Sequence, residues 1–517
     1  MASPRVKAVF GIAGVVMLSK VLGLTREMVI AAKFGTTANY DLYLIAVMLP
    51  ALVYGVINFA SFYLFVPYMT RKFEGNEAVT QSGGWRATWS LFNFSMAVAI
   101  ALTLAIILSA PYLMKIWAGE FSAEEFSMIV LYSRFTALIV VLGTSEAFLR
   151  AFLNVQKVFT YPASGPIVFN LFSILGIILL YHKLGVGAIA VGLVAGLFLQ
   201  NVYLFLRLAG YRPFAHYTGR LFSDEVKALL ATAGVLLLIE LLNRSYFLID
   251  RYYAPDFGAG IVSALNYSQV LVLLPDAVAG FAIASVVFPL FSRTYAESDR
   301  ATFTALYQRA ITAGMLVAVP MAVYFFLNAR DIVYLVFFRG VFNAESVEIT
   351  TRVLLPYTPA IVALFVVSTS IRACYGRGWS RAVLIFTILL LATKFVGTAL
   401  LPRWFGYPGI TAATSVSQVS FAAALLVLII YRSGMVGYGR FIWKLVKLSL
   451  AGAAAWLVLS LVRHVLPEAP LEMTRGDAVV RLGVSAFIVF GSYLLFVWLV
   501  GFGSFVGEVI RRKPREA

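Results

Sequence analysis

The fold of this chain is decided by a stretch that occurs twice. Residues 26–50 read REMVIAAKFGTTANYDLYLIAVMLP, and residues 251–275 read RYYAPDFGAGIVSALNYSQVLVLLP. At a constant offset of 225 residues, both copies have an initial arginine, a central glycine (Gly35 and Gly260) and a final Leu-Pro. Further along, Gly185 matches Gly406 at an offset of 221. We therefore predict one six-helix unit used twice, an arrangement that membrane transporters build around a central cavity.

The composition indicates a polytopic membrane protein. Of the 517 residues, 61% are hydrophobic and 13% are charged, and the mean hydropathy is +0.89. A helix needs about 20 apolar residues to cross the hydrocarbon core, and about fourteen stretches reach this length. They lie near residues 8–33, 40–69, 86–114, 125–152, 159–181, 184–207, 224–250, 259–292, 303–328, 346–374, 380–402, 405–431, 441–464 and 480–508. The expected fold is all-α, with two six-helix repeats around a central cavity and two further C-terminal helices.

Three parts follow from this pattern. Residues 1–210 form an N-terminal six-helix lobe, residues 211–435 a C-terminal six-helix lobe, and residues 436–517 two extra helices with a basic tail. The formal net charge is +17, and the lysines and arginines concentrate in alternate loops. The positive-inside rule then places both termini in the cytoplasm. Since the first apolar stretch is long and carries Lys20 and Arg26, we expect it to remain in the mature protein.

Several function classes are disfavoured. One cysteine and three histidines leave no basis for a disulfide scaffold or a Cys/His metal site. The sequence has no phosphate-binding loop, no zincin signature and no nucleophile elbow, so we expect neither an enzyme nor a cofactor. Energy for transport would then come from the membrane potential, from a Na+ or H+ gradient, or from consumption of the product. The basic charge is explained by topology, and no nucleic-acid partner is expected.

The first two spans resemble a known transporter family. Residues 17–27 read MLSKVLGLTRE and are followed by Phe34-Gly35, Asp41 and Leu49-Pro50. This order is similar to the opening of the MurJ (MviN) flippases of the multidrug/oligosaccharidyl-lipid/polysaccharide exporter (MOP) superfamily. The resemblance implies a bacterial inner-membrane flippase that moves an undecaprenyl-diphosphate-linked glycan to the outer leaflet by alternating access. It also implies that Lys20, Arg26 and Asp41 line the cavity of the first half. Glycan polymerases or synthases are the protein partners that this function suggests.

Other charged residues fall inside predicted spans, where a charge is costly and often functional. Arg134 and Arg251 are candidates for further contacts with the substrate; the alternative is that they reach the interface or pair with an acid. Glu240 and Lys394 form a candidate pair for ion coupling, and a structural ion pair is the alternative. Glu27 follows Arg26 directly, about 100° around the helix, so the two are not expected to neutralise each other fully.

Two prolines occupy matched positions in the repeat. Pro50 and Pro275 each fall inside a predicted span, where proline removes a backbone hydrogen bond and permits a kink. We expect both to act at gates.

The cargo is the point on which the sequence departs from the family. MurJ proteins carry an arginine pair where this chain has Tyr54-Gly55, and an Asp-Arg pair where it has Gln269-Val270. Three cations associated with the substrate diphosphate are therefore absent. This favours another lipid-linked oligosaccharide, such as an exopolysaccharide precursor, as the cargo. Lipid II for peptidoglycan synthesis is the first alternative, and a cation-coupled multidrug antiporter is the second.

Overall fold

The computed structural model describes residues 4–73, 77–117, 121–209, 217–221, 224–276, 291, 299–465 and 474–502. Within these ranges the chain forms helices and no β strand, and a single isolated bridge joins Arg339 and Phe342. The all-helical prediction is thus confirmed for the described residues. The chain divides into two compact units, Met1–Ser263 and Ala264–Ala517. The three-part division at residues 210 and 435 stays a prediction, since it was defined by sequence repeats.

In its described residues, the first unit contains nine complete α-helices and the start of a tenth. In chain order they are α1 (Pro4–Phe34), α2 (Ala38–Ala60), α3 (Val66–Phe73), α4 (Glu77–Leu113), α5 (Ala123–Thr136), α6 (Leu138–Val155), α7 (Thr160–Leu184), α8 (Gly187–Ala209), α9 (Asp224–Tyr253) and α10 (Ile261–Pro275). A π-helical turn, Ser61–Phe65, joins α2 to α3. Helix α2 lies at the centre of this unit, because it packs on α5, α6 and α9 and every residue from Tyr40 to Met48 is buried.

The second unit contains the remaining helices. They are α11 (Arg300–Leu327), α12 (Ala329–Phe337), α13 (Ala344–Leu354), α14 (Pro359–Gly376), α15 (Ser380–Leu400), α16 (Pro402–Phe405), α17 (Pro408–Ser433), α18 (Tyr438–Val465) and α19 (Arg475–Val497). The last two helices pack on each other and on α11. Asp331 of α12 lies 4.0 Å from Arg463 Nη2 of α18 and 3.7 Å from Arg481 Nε of α19. This carboxylate therefore ties the last two helices to α12.

Eleven helical segments of the described chain are long and apolar enough to cross a membrane. They are Ala38–Thr70, Thr88–Ile116, Ala123–Val155, Thr160–Leu184, Gly187–Ala209, Arg300–Leu327, Pro359–Gly376, Ser380–Phe405, Pro408–Ser433, Tyr438–His464 and Arg475–Gly501. The chain is thus a multi-pass membrane protein. Each of these segments overlaps a predicted span. The count of about fourteen stays a prediction, as does the orientation of the termini.

Prolines and turns break several spans that the sequence suggested as continuous. The stretch 346–374 is divided into α13 and α14 by a 3-10 turn, Leu355–Tyr357, because Pro356 and Pro359 cannot continue the hydrogen bonding of an α-helix. The stretch 125–152 is interrupted at Ala137, between α5 and α6. Of the stretch 259–292, the structure describes helix α10 (Ile261–Pro275) and a helical residue 276, and residues 277–290 lie outside the described chain.

The glycines that align in the sequence repeat adopt the same unusual backbone conformation. Gly35 and Gly260 have φ angles of 57° and 86°, and Gly185 and Gly406 have φ angles of 52° and 64°. Glycine is favoured in this left-handed region because it has no Cβ atom. At Gly260 space also excludes a side chain, since a Cβ atom would lie 2.5 Å from the carbonyl oxygen of Thr36. The matched conformations agree with a repeat, although the arrangement of the repeats stays a prediction.

Candidate cationic site on helix α2

One group of charged and aromatic side chains lies near Tyr43 of α2 and is here called the first level. It comprises Arg26, Glu27, Phe169 and Arg251. Arg26 of α1 bonds to the adjacent Glu27, with 2.7 Å between Arg26 Nη2 and Glu27 Oε1. The two neighbours thus form an ion pair, because their long side chains span the angle between adjacent helix positions. The expectation that they do not neutralise each other fully stays a prediction. The guanidinium of Arg26 also lies over the Phe169 ring, at 5.3 Å from its centroid. Both Arg26 and Arg251 lie within electrostatic range of the Tyr43 hydroxyl.

Arg251 of α9 joins the first level by a backbone contact. Its Nη1 atom donates a hydrogen bond of 2.8 Å to the carbonyl oxygen of Leu44 on α2. The sequence placed Arg251 at or near membrane depth, and the structure brings it to the same helix as Asp41 and Tyr43. Arg26 and Arg251, the two arginines matched in the sequence repeat, therefore both lie within electrostatic range of one tyrosine of the first unit.

Asp41 has a well-defined bonding role. Its side chain is buried (4% exposed), and its Oδ2 atom accepts a hydrogen bond of 2.6 Å from the Gly260 N–H. Its Oδ1 atom accepts 2.7 Å from the Ser263 N–H and is also bonded by the Ser263 hydroxyl. These are donors at the N-terminus of α10, where a carboxyl group satisfies N–H groups that have no partner within the helix. The described contacts of Asp41 thus anchor α10, and its contact with substrate stays a prediction.

A second group of polar side chains, here called the second level, lies further along α2. It comprises Tyr54, Asn58, Glu146, Arg150 and Gln200, together with Arg244 and Glu240 of α9. Glu146 of α6 is 1% exposed, and its Oε1 atom accepts 2.9 Å from Gln200 Nε2 of α8. Arg150 Nε is 3.5 Å from the same oxygen, and Arg150 Nη2 donates 3.0 Å to Asn58 Oδ1 of α2. Asn58 in turn donates 3.2 Å to the Tyr54 hydroxyl. Three helices are therefore linked through one polar network.

Arg244 of α9 also belongs to the second level, and it lies against the glycine of α2. A Cβ atom at Gly55 would be 2.8 Å from Arg244 Nε and 3.1 Å from its Cζ. Arg244 Nε donates 2.7 Å to Glu240 Oε1, one turn earlier on α9. The Arg244 side chain is 47% exposed, whereas that of Glu240 is 12% exposed. The Arg244 side chain thus packs against α2 at Gly55 while its Nε atom is bonded to Glu240.

The two levels lie along one line of contact between α2 and α9. Arg244 and Arg251 are seven residues apart, which is about two turns and about 10 Å on the same face of α9. Their contacts on α2, Gly55 and Leu44, are eleven residues apart, which is about three turns and about 16 Å on one face. The arginine numbers fall as the α2 numbers rise, so α2 and α9 run antiparallel. Cationic groups from α9 therefore follow the length of α2.

Two other predicted substrate residues lie away from these levels. Lys20 is exposed on α1, and none of the described contacts joins it to the first or second level. Arg134 is exposed on α5, and its Nε atom donates 3.0 Å to the carbonyl oxygen of Ile107 on α4. No described contact links Arg134 to α2. The structure therefore places Asp41 and Arg251 at α2 and Arg26 within electrostatic range of Tyr43, and no described contact joins Lys20 or Arg134 to them.

The two residues suggested for ion coupling belong to different units. Glu240 pairs with Arg244 in the first unit, as described above. Lys394 of α15, in the second unit, is fully buried, and its Nζ atom donates 2.6 Å to Thr414 Oγ1 and 3.2 Å to the carbonyl oxygen of Ile410 on α17. A pair between Glu240 and Lys394 and its coupling role stay predictions. Within the described ranges, no group of three or more His, Cys, Asp or Glu residues could hold a metal ion.

The two matched prolines differ in their surroundings. Pro50 is buried inside α2, twelve residues after its start at Ala38. Pro275 is the last residue of α10. The proposed gating role of both prolines stays a prediction.

Comparison with known proteins identifies the family. A family model described as Lipid II flippase MurJ matches residues 30–471. The chain belongs to the MurJ family. The Lipid II flippase MurJ of Burkholderia cenocepacia is 24% identical over 522 residues, which cover 96% of this chain and 97% of the relative. The probable lipid II flippase MurJ of Vibrio cholerae is 24% identical over 463 residues, covering 86% of each chain.

Solved structures share the fold. A lipid II flippase MurJ in an inward closed conformation superposes with a TM-score of 0.78 at 17% identity, covering 97% of this chain and 99% of that one. An inward-facing multidrug resistance MATE family transporter of the MOP superfamily gives a TM-score of 0.69 at 13% identity, covering 82% of this chain and 98% of that one. The fold of the MOP superfamily, suggested by the first two spans, is thereby confirmed.

The sequence identified some members of the second level but not how they are connected. Arg244 and Glu146 lie within the apolar stretches 224–250 and 125–152, so the sequence shows them as charged residues of predicted spans. Asn58, Gln200 and Gly55 were not singled out as site residues, because an amide or a glycine in an apolar helix is common. The contact between Gly55 and Arg244 could have been suggested by one sequence feature: a glycine in one predicted span and an arginine in another.

Proposed function

We propose that this chain is a flippase that carries lipid II from the inner to the outer leaflet of the bacterial cytoplasmic membrane by alternating access. The observation that carries the proposal is the match of the lipid II flippase MurJ family model to residues 30–471. The curated relatives above carry the same description and align over most of their length. Membership of the family therefore favours lipid II over the other lipid-linked glycan that the sequence placed first.

The structure also weakens the argument against lipid II. That argument rested on absent cations, two of them at Tyr54-Gly55. Arg244 lies directly over Gly55, so a guanidinium is present at this place on α2 even though α2 does not supply it. The lack of a cation at Gln269-Val270 remains a difference from the family. Counting arginines along one helix thus overlooks a guanidinium that α9 supplies, with Glu240 as its ion-pair partner.

The chemistry of the two levels suits an anionic headgroup. A diphosphate cannot enter hydrocarbon unless cationic groups replace part of its hydration. Guanidinium groups bind phosphate oxygens through two parallel hydrogen bonds, which fixes orientation as well as charge. Arg26, Arg150, Arg244 and Arg251 supply four guanidinium groups around α2, of which three have a neighbouring glutamate in the described structure. The glutamates hold the arginines in place and lower the cost of their burial in the empty protein.

The source of energy is part of the proposal. The sequence contains no motif for nucleotide hydrolysis, so the membrane potential or a Na+ or H+ gradient would drive the cycle. The multidrug antiporter alternative is not favoured, because the MATE structures resemble this chain at 13–14% identity and share its fold alone.

Complementation tests this function. Cells depleted of their own lipid II flippase should grow when they express this protein, and growth should be lost with Arg26→Ala. Arg134→Ala is the matched control, since it also removes an arginine from an apolar helix but lies away from α2; it should rescue growth. Membrane levels of each variant are compared by immunoblotting.

The outcomes separate the candidate cargoes. Rescue that depends on Arg26 supports lipid II. If the wild-type protein reaches the membrane at normal levels but does not rescue growth, lipid II is not its cargo. An exopolysaccharide precursor would then be tested in cells that lack the corresponding flippase.

A further inference from the structure

The contact between Gly55 and Arg244 is a built feature of the first unit. Gly55 is buried in the middle of an α-helix, where glycine costs stability relative to alanine. Its absent side chain leaves the space that the Arg244 side chain fills, with Nε, Cδ and Cζ all within 3.1 Å of where a Cβ atom would lie. Even alanine would push this guanidinium away from α2. Gly55 is therefore the residue that admits Arg244 to the surface of the helix.

The orientation of Arg244 leaves its outer nitrogens available. Its described hydrogen bond uses Nε, which donates to Glu240. The described residues provide no hydrogen-bond acceptor for Nη1 or Nη2, and nearly half of the side chain is exposed. A guanidinium with Nε held by a carboxylate can still present both outer nitrogens to a second anion. Glu240 is more buried than Arg244, and its hydrogen bond with Nε fixes the direction of the guanidinium.

The surroundings of Arg244 carry both signs of charge. On α6, Glu146 and Arg150 form a pair that acts on the same tyrosine hydroxyl, Tyr54, as Arg244 does. Their charges offset each other, as do those of Glu240 and Arg244. The Arg150 side chain is 13% exposed, compared with 47% for Arg244. Arg244 is therefore the more accessible cation of the second level.

We propose that Arg244 is a cargo-binding residue that contacts the phosphate groups of the lipid-linked substrate, and that Gly55 and Glu240 position it for this contact. The proposal rests on the flippase function given above and adds a specific residue on α9 to it. Arg244 binds one or two phosphate oxygens through Nη1 and Nη2 while Nε remains bonded to Glu240. Helix α9 thus supplies, through Arg244, the cation that α2 lacks at position 55.

Chemical protection tests the proposal on the unmodified protein. Purified full-length protein in detergent is treated with phenylglyoxal, which modifies exposed guanidinium groups, and each arginine is followed by mass spectrometry. Arg352 is the matched control because it forms the same one-turn pair, with Nε donating 2.7 Å to Glu348 Oε1, and is 59% exposed. Added lipid II should protect Arg244 several-fold and leave Arg352 unchanged. An equal amount of phosphatidylglycerol is the control for ordinary lipid headgroups.

Variants test the same contact by affinity. Arg244→Gln should weaken lipid II binding about tenfold, since a hydrogen bond to a charged group carries roughly that factor. Arg352→Gln should bind like the wild type. The double variant Gly55→Arg/Arg244→Ala returns the guanidinium to α2 and should recover part of the lost affinity, whereas a purely structural role for Arg244 predicts no recovery.

The results distinguish this proposal from the function on which it rests. If the wild-type protein does not bind lipid II, the choice of cargo fails. If it binds, but Arg244 is modified equally with and without lipid II, the proposal for Arg244 is overturned. Protection by phosphatidylglycerol to the same degree as by lipid II also overturns it, because Arg244 would then be a contact for bulk lipid. Failure of Arg244→Gln to fold leaves the protection experiment to decide.

Discussion

Replacing Asp41 should destabilise the protein more strongly than it impairs any direct contact with substrate. Asp41→Ala would leave the N–H groups of Gly260 and Ser263 buried without their acceptor and remove the bond from the Ser263 hydroxyl. Each unsatisfied buried donor costs about 1–3 kcal/mol, so the total loss is about 3–5 kcal/mol after partial relaxation. Asp41→Asn keeps one acceptor oxygen but turns an N–H donor toward another donor, and should cost about 2–3 kcal/mol.

Thermal melting of the purified protein in detergent measures this effect. The melting temperature should fall most for Asp41→Ala, less for Asp41→Asn and least for Asp477→Ala. Asp477 is the matched control because it also accepts a backbone N–H and a hydroxyl hydrogen at a helix start, from Thr474, but at an exposed position. Ser263→Ala removes only the hydroxyl donor and should lie between Asp41→Asn and the control.

Transport by the folded fraction completes the test. If Asp41 acts through α10, transport per folded molecule should recover when Asp41→Asn is assayed well below its melting temperature. An unchanged melting temperature for Asp41→Ala would refute the anchoring role. A loss of transport in a fully stable Asp41→Asn variant would instead support the direct contact that the family resemblance suggested.

Two further predictions concern packing and ion coupling. Gly143→Ala should lower the free energy of unfolding by about 1–3 kcal/mol, because a Cβ atom there would lie 2.1 Å from Cδ2 of Tyr54. Thermal melting measures the loss. The double variant Gly143→Ala/Tyr54→Ala should recover part of it, because the shorter side chain removes the clash. If the buried Lys394 ammonium takes the place of a coupling cation, Lys394→Met should make transport dependent on Na+. Flipping assays in vesicles with and without Na+ measure this dependence. Unchanged transport with an unchanged ion response would contradict a coupling role.

The fold could be predicted from the sequence to the extent that it depends on length and hydrophobicity. Apolar stretches of sufficient length gave the helices, and the motif around Arg26, Gly35 and Asp41 gave the family. The sequence did not show where helices break inside the membrane. Pro356 and Pro359 divide one predicted span into two helices, and the break at Ala137 has no strong local cause in the sequence.

The site was harder to predict because it depends on contacts between distant parts of the chain. Tyr54-Gly55 suggested a loss of charge, since the pair itself contains no cation. The arginine that lies there comes from a residue almost two hundred positions later. The ion pair between Arg26 and Glu27 could not be predicted for a different reason: the angle between adjacent Cα positions does not limit where two long side chains end.

The carboxylate of Asp331 has a consequence for engineering this transporter. The last two helices lie outside the repeat predicted from the sequence, which makes them an obvious segment to delete or exchange between relatives. Arg463 and Arg481 would leave with them, and the 6%-exposed Asp331 would lose both cations. A truncated or chimeric chain should therefore replace Asp331 with a neutral residue, or bring its own arginines, before any defect is attributed to the missing helices themselves.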